Sequence, residues 1–366
     1  MTLDALSLAT PGVRALQPYV PGKPVEELER ELGITNAIKL ASNENPLGPS
    51  PKALAAVQQA LPEIARYPDG GGFALKRALA ARFGVDAGQI TLGNGSSDVI
   101  EFAARILLAP GDEAVFSQHS FAMYPIITQA IGARGVEVPA RDWGHDLEAM
   151  ARAVTARTKL VFITNPNNPT GTWFGRAALR AFLQQVPARV IVVLDEAYFE
   201  FVDESDYPDG ITLLKEFPNL IVARTFSKAY GLAGLRVGYS LSSPAVADLL
   251  NRVRPPFNVN SLALVAALAA LDDTAHLQQS QRVNAEGMRQ LVSGFAQLGL
   301  GHIPSVGNFV CVEVGDAKRV YEQLLRRGVI VRPVANYGMP RHLRVTVGLP
   351  EENRRFLEAL RATLQP

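Results

Sequence analysis

Short apolar runs bounded by turn residues recur through the middle of the chain: ITL at 90–92, AVFS at 114–117, KLVFIT at 159–164, VIVVLD at 190–195 and LIVART at 220–225. Between them the apolar spacing changes to three and four residues, as in SDVIEFAARILLA at 97–109 and RAALRAFLQQV at 176–186. Strands that are apolar at nearly every position must be covered on both faces, and amphipathic helices supply that cover. The pattern predicts an α/β fold with a mostly parallel central sheet in a large domain, residues 46–254. Upstream, residues 1–45 carry several prolines and glycines (PGVRALQPYVPGKP, 11–24) and predict an extended arm with one short helix. The Pro255-Pro256 pair marks the other boundary, because paired prolines stop a helix. Beyond it, 261–300 reads as helix. NFVCVEV (308–314), a helix over 316–327, VIVRPV (329–334) and HLRVTVG (342–348) then predict a smaller α+β domain, residues 255–366.

Composition narrows the classes of function. The 366 residues are 48% hydrophobic and 19% charged, which argues against disorder, a state of low hydrophobicity and high net charge. The 36 basic and 35 acidic residues leave a formal charge of +1. Nucleic-acid binders need a basic excess to neutralise phosphates, so a small-molecule partner is expected instead. The single cysteine, Cys311, excludes an internal disulfide and a cysteine zinc cluster, and the five histidines form no His-x-x-x-His pair, so no metal site is expected. The segment MTLDALSLATPG lacks the basic start of a signal peptide. The longest apolar run, SLALVAALAAL at 261–271, is shorter than the about 20 residues that span a bilayer. A soluble cytoplasmic chain without a membrane partner is therefore expected.

In an open parallel sheet, ligands bind beyond the carboxyl ends of the strands, so the residues after each apolar run carry the candidate chemistry. Gly93-Asn94-Gly95-Ser96-Ser97-Asp98 follows the first run and opens a helix, whose free amides and dipole suit a phosphate. Steric demand in a tight strand-to-helix turn would select the same residues. The segment is neither Gly-x-Gly-x-x-Gly nor a Walker loop, which disfavours a dinucleotide or a nucleoside triphosphate. Asn165-Pro166-Asn167-Asn168-Pro169-Thr170-Gly171 follows KLVFIT and offers the Asn168 amide at a strand end. Asp195, Glu196 and Tyr198 follow the next run. A buried carboxylate there needs a cation, although Asp195 taken singly also suits a helix cap. Lys228 follows LIVARTFS among apolar and small residues, where desolvation would lower its pKa as a Schiff-base lysine requires.

Together, NPNNPTG, the Asp195-x-x-Tyr198 step and Ser227-Lys228-x-x-Gly231-x-x-Gly234-x-Arg236 resemble the fold-type I pyridoxal 5'-phosphate (PLP) aminotransferases along essentially the whole chain. The resemblance implies that Lys228 carries PLP and that Asp195 pairs with the ring nitrogen. It also implies that Asn168 and Tyr198 donate to the ring oxygen, that Ser96, Ser97, Ser227 and Arg236 hold the phosphate, and that Phe121 stacks on the ring. Many relatives have tyrosine in place of Phe121. VRALQPYVPGKPVEELERELG (13–33), LASNENPLGPSP (40–51) and RYPDGGG (66–72) are similar to the histidinol-phosphate aminotransferases in particular. Leu47 departs from their pattern, in which NENP is often followed by an aromatic residue.

That closer likeness implies a homodimer in which the arm packs on the small domain and on the partner. Tyr19 and Tyr67 would reach the partner's active site, with Tyr67 on the cofactor phosphate and Tyr19 and Asn43 on the substrate. Arg332 and Arg344 would take its anionic groups. The expected reaction converts L-histidinol phosphate and 2-oxoglutarate. An aromatic amino acid aminotransferase, a threonine-phosphate decarboxylase and a non-catalytic PLP-binding regulator are the alternatives. A nicotinamide dehydrogenase lacks its fingerprint.

Overall fold

In the computed structural model, which describes residues 3–19 and 21–365, seven strands form the central sheet. They are β1 (Ile90–Gly93), β2 (Glu113–Ser117), β3 (Arg134–Val138), β4 (Thr158–Thr164), β5 (Ile191–Asp195), β6 (Leu220–Thr225) and β7 (Gly238–Leu241). Their order is β1-β7-β6-β5-β4-β2-β3, and only β7 runs antiparallel to its neighbours. Alternate residues of the apolar runs enter opposite cores, as the two-residue side-chain period requires. Val161, Ile163, Val192 and Leu194 pack on one face, and Leu160, Phe162 and Val193 on the other. Two strands of this sheet escape the apolar-run pattern. β3 is an exposed edge whose RGVEV is mostly polar, and β7 lies inside the glycine-rich stretch after Lys228.

A second sheet, β10-β11-β9-β8, is fully antiparallel and consists of β8 (His302–Ile303), β9 (Phe309–Glu313), β10 (Arg332–Pro333) and β11 (His342–Thr346). Helices Thr274–Gln297, Ala317–Arg326 and Pro350–Leu364 cover it through Leu291, Phe295, Val320, Leu324, Phe356 and Leu360. The expected single strand over 329–334 is two. Val329–Ile330 pairs in parallel with Ile38–Lys39 of the arm, and the chain then crosses to β11 through β10.

Two further expectations are corrected. The helix over 261–300 is broken at Asp272-Asp273, where Asp273 caps the second helix by accepting from the His276 N–H. Its first half, Ser261–Leu271, packs into the core of the seven-stranded sheet through Ala263, Ala266, Ala267 and Leu271. Pro255-Pro256 therefore ends a helix, while the large core takes in chain beyond it. The arm holds three helices, Ala5–Leu8, Pro11–Arg14 and Val25–Leu32, rather than one. Two are a single turn long, too short for an apolar period to appear in sequence. Val20 of the arm motif lies outside the described residues. Among the described residues, no helix is long and apolar enough to cross a membrane.

Candidate active site

The carboxyl ends of β4, β5 and β6, beside the point where strand order reverses between β4 and β2, open onto a cavity of about 180 Å³. Among the predicted residues, Ser96, Ser97, Phe121, Asn168, Asp195, Tyr198, Ser227, Lys228, Arg236, Tyr19, Asn43, Arg332 and Arg344 all line it.

One end is built for an anion. Helix Ser96–Leu107 points its first turn at the cavity, and its cap, Gly95, has φ +77°. A Cβ on Gly95 would lie 2.6 Å from Arg236 Nη2, so glycine lets the guanidinium close over the turn. Arg236 donates from Nη2 to Asn94 O (3.3 Å) and from Nη1 to Ser227 Oγ (3.2 Å). Hydroxyls, helix amides and a guanidinium thus converge on one point, as a phosphate monoester demands.

Asp195 and Glu196 are consecutive and buried but face opposite ways. Glu196 meets the cation that a buried carboxylate needs: Arg224 Nη2 lies 2.7 Å from its Oε2 and stacks on Phe199. Asp195 makes no ion pair within the chain among the described residues. It accepts from Tyr124 Oη (3.0 Å) and from the Ala197 N–H (3.1 Å), and burial raises its pKa to about 6. Lys228 donates to Ser42 O (3.2 Å), and burial, reinforced by the Arg344 guanidinium, lowers its pKa to about 8. Part of its population is therefore neutral amine near neutral pH.

Arg344 on β11 donates from Nη1 to Asn168 Oδ1 and from Nη2 to Ala41 O, while its buried Nε has no partner. This fixes the Asn168 amide with its NH2 group as the end that can face a ligand. Arg332 is the register partner of Arg344 across β10 and β11, so both side chains leave the same face. The Tyr19 ring lies 5.4 Å from the Arg332 guanidinium. Beyond this pair the cavity meets a larger hollow of about 750 Å³, with which it shares Tyr19, Gly22 and Arg332.

One implied placement, that of Tyr19, differs from the geometry, and the surroundings of Asn43 and Tyr67 add detail to theirs. Tyr19 lines the cavity of its own chain rather than reaching away to a partner's. The arm brings it there by pairing Ile38–Lys39 with Val329–Ile330, next to β10. Asn43, expected on the substrate, is 1% exposed and donates its amide to Tyr198 Oη (2.8 Å). Its Oδ1 accepts from Thr346 Oγ1 (3.1 Å), so it orients Tyr198 from the small sheet. Burial raises the Tyr198 phenol to about 12, which keeps it a donor. Tyr67 is 82% exposed, stacks on Phe257 (4.8 Å) and lies outside the cavity. Sequence reasoning missed Tyr124 and Thr164, which stand behind Asp195. A tyrosine three residues after Phe121, in an otherwise apolar helix start, was the one signal for it.

These residues fit PLP. An anion cradle that a Cβ would fill, a buried carboxylate without its own cation, a partly neutral amine and an unpartnered guanidinium nitrogen match its phosphate, ring nitrogen and aldehyde and the anionic groups of a substrate. Among the described residues, no group of three acidic, histidine or cysteine side chains could hold a metal.

Comparison with known proteins agrees. The sequence profile of the family described as "Aminotransferase class I and II" matches residues 35–360. A histidinol-phosphate aminotransferase of Pseudomonas aeruginosa is 66% identical over 98% of both chains. One from Pseudomonas fluorescens is 64% identical over 100% of this chain and 99% of its own. The crystal structure of a histidinol-phosphate aminotransferase from Sinorhizobium meliloti, in complex with pyridoxal-5'-phosphate, superposes with a TM-score of 0.91 at 33% identity over 99% of both chains. An aspartate aminotransferase from Thermus thermophilus shares the fold at 24% identity, with a TM-score of 0.84. The chain therefore belongs to the class I and II aminotransferase family, and within it to the PLP-dependent histidinol-phosphate aminotransferases.

Proposed function

We propose that the enzyme transfers an amino group between L-histidinol phosphate and 2-oxoglutarate, giving imidazole acetol phosphate and L-glutamate, in histidine biosynthesis. The observation that carries the reading is the Arg332–Arg344 pair in the lining of the Lys228 cavity. Histidinol phosphate has no carboxylate but has a dianionic phosphate, whereas 2-oxoglutarate has two carboxylates. A guanidinium binds either group bidentately, so one pair of arginines serves both halves of the cycle.

PLP bound here supplies an electron-accepting ring. The other tasks fall to the chain. Asp195 holds the proton on the ring nitrogen, and Asn168 Nδ2 and Tyr198 Oη donate towards the ring oxygen. Phe121 packs against the ring, and Ser96, Ser97, Ser227 and Arg236 anchor the phosphate. Lys228 Nζ, its pKa lowered by burial, would take the proton from the substrate Cα and hold it for return.

Arg332→Ala is expected to lower kcat/KM for histidinol phosphate by about one to two powers of ten, the range for removing one charge-assisted hydrogen bond. Phenylalanine, without a phosphate, should lose less. Steady-state kinetics on both substrates checks this. Equal losses would favour an aromatic amino acid aminotransferase.

The enzyme is further proposed to act as a homodimer with Tyr67 crossing to the partner's cofactor phosphate. Support comes from the exposed Tyr67–Phe257 stack beside a surface hollow that includes Ile64 and Leu262. Mixing Lys228→Ala with Tyr67→Ala subunits should then restore up to about a quarter of wild-type activity, because half of the dimers carry one intact site. No recovery despite demonstrated subunit exchange would contradict shared sites. A cytoplasmic location belongs to the same reading, since a doubly charged phosphate ester does not cross a bilayer unaided.

A further inference from the structure

Tyr124 has no exposed surface and sits at the start of helix Met123–Ile131. Its ring lies flat on Phe162, with centroids 4.6 Å and planes 1° apart, and meets Phe121 edge-on. A phenol enclosed in this way needs partners for its hydroxyl. It has two, Asp195 Oδ2 at 3.0 Å and Thr164 Oγ1 at 2.6 Å. A phenol has one proton and an ionised carboxylate only accepts, so Tyr124 donates to Asp195 and Thr164 donates to Tyr124. Phe162 and Thr164 lie two residues apart on β4, so one strand face supplies both the stacking platform and the second hydroxyl. Thr164 is also the register partner of Asp195 across β4 and β5.

We propose that Tyr124, backed by Thr164, is a positioning residue that orients the Asp195 carboxylate and keeps it ionised for the cofactor's ring nitrogen. The surroundings of Asp195 leave few other groups for this task. Lys228 beyond β6 faces it across the cavity and is occupied by the chemistry. Tyr198 beyond β5 is a phenol whose hydroxyl accepts from Asn43. Glu196, next in sequence, is paired with Arg224. The Ala197 N–H gives one further donor. Against them stands burial, which favours the neutral acid, and the Tyr124 hydrogen bond opposes it.

This inference rests on the reading that the cavity holds PLP on Lys228, and the test separates the two. Tyr124→Phe keeps the ring stack and removes only the hydroxyl. The dissociation constant for PLP, from titration of cofactor-free protein, should rise at least about tenfold, the scale of one hydrogen bond to a charged group. The acid limb of kcat/KM should move to higher pH, because Asp195 protonates more readily. Thr164→Val, which leaves the phenol–carboxylate bond but removes its donor, should shift both quantities in the same direction by less. It carries the test if Tyr124→Phe is not recovered folded. A lower Tm with unchanged PLP affinity and an unmoved acid limb in these variants would make Tyr124 purely structural and overturn the proposal. Failure of the wild-type protein to take up PLP at all would instead overturn the cofactor reading beneath it.

Discussion

Lys228→Ala should yield a folded protein whose turnover falls by roughly three orders of magnitude or more, the scale of a positioned proton-transfer group. The amine is placed for that task from two sides. The sequence sets it just past an apolar strand, and the fold encloses it between Ser42 O and the Tyr198 ring. Burial lowers its pKa to about 8, so it can both take and give up a proton near neutral pH. Borohydride treatment of PLP-loaded wild-type protein should abolish the visible absorbance and leave the label on the Lys228 peptide. Label on another lysine would move the active site elsewhere.

Asp195→Asn should retain PLP yet lose about two to three powers of ten in kcat, as when one preorganised partner of developing charge is removed. The amide cannot supply the anion that keeps the ring nitrogen protonated. A pH signature accompanies this loss. Burial raises Asp195 to about 6 in the cofactor-free fold, above the roughly 4 of an unfolded chain. The folded form therefore holds this proton more tightly, and stability through this group is lost as pH rises from about 4 to about 6. A cationic ring nitrogen restores it above that range. The rise in Tm on PLP loading should be larger above about pH 6 than below, and the difference should shrink in Asp195→Asn. An unchanged first half-reaction in the variant would reduce Asp195 to a structural acceptor.

The site was legible in the sequence where its chemistry follows a strand end directly. Asn168, Asp195 and Lys228 each sit at or a few residues past the end of an apolar run, and the runs emerged as parallel neighbours β4, β5 and β6. What stayed hidden depends on partners distant in sequence. Tyr124 meets Asp195 across 71 residues, and Glu196 finds Arg224 across 28. Asn43 carried a family likeness to a substrate-binding residue, yet Thr346, 303 positions away, helps turn its amide towards Tyr198. The small-sheet arginines were legible as a pair through the resemblance, but that they stand directly opposite one another appears only in the register of β10 and β11. Among the elements, the polar edge strand β3 and the one-turn helices of the arm carry too little apolar periodicity to announce themselves.

Side-by-side kcat/KM for L-histidinol phosphate and L-phenylalanine, with 2-oxoglutarate as acceptor, tests the assigned function most directly. A phosphate that engages one more guanidinium should favour histidinol phosphate by at least about tenfold to a hundredfold. Equal or better turnover of phenylalanine would contradict the assignment.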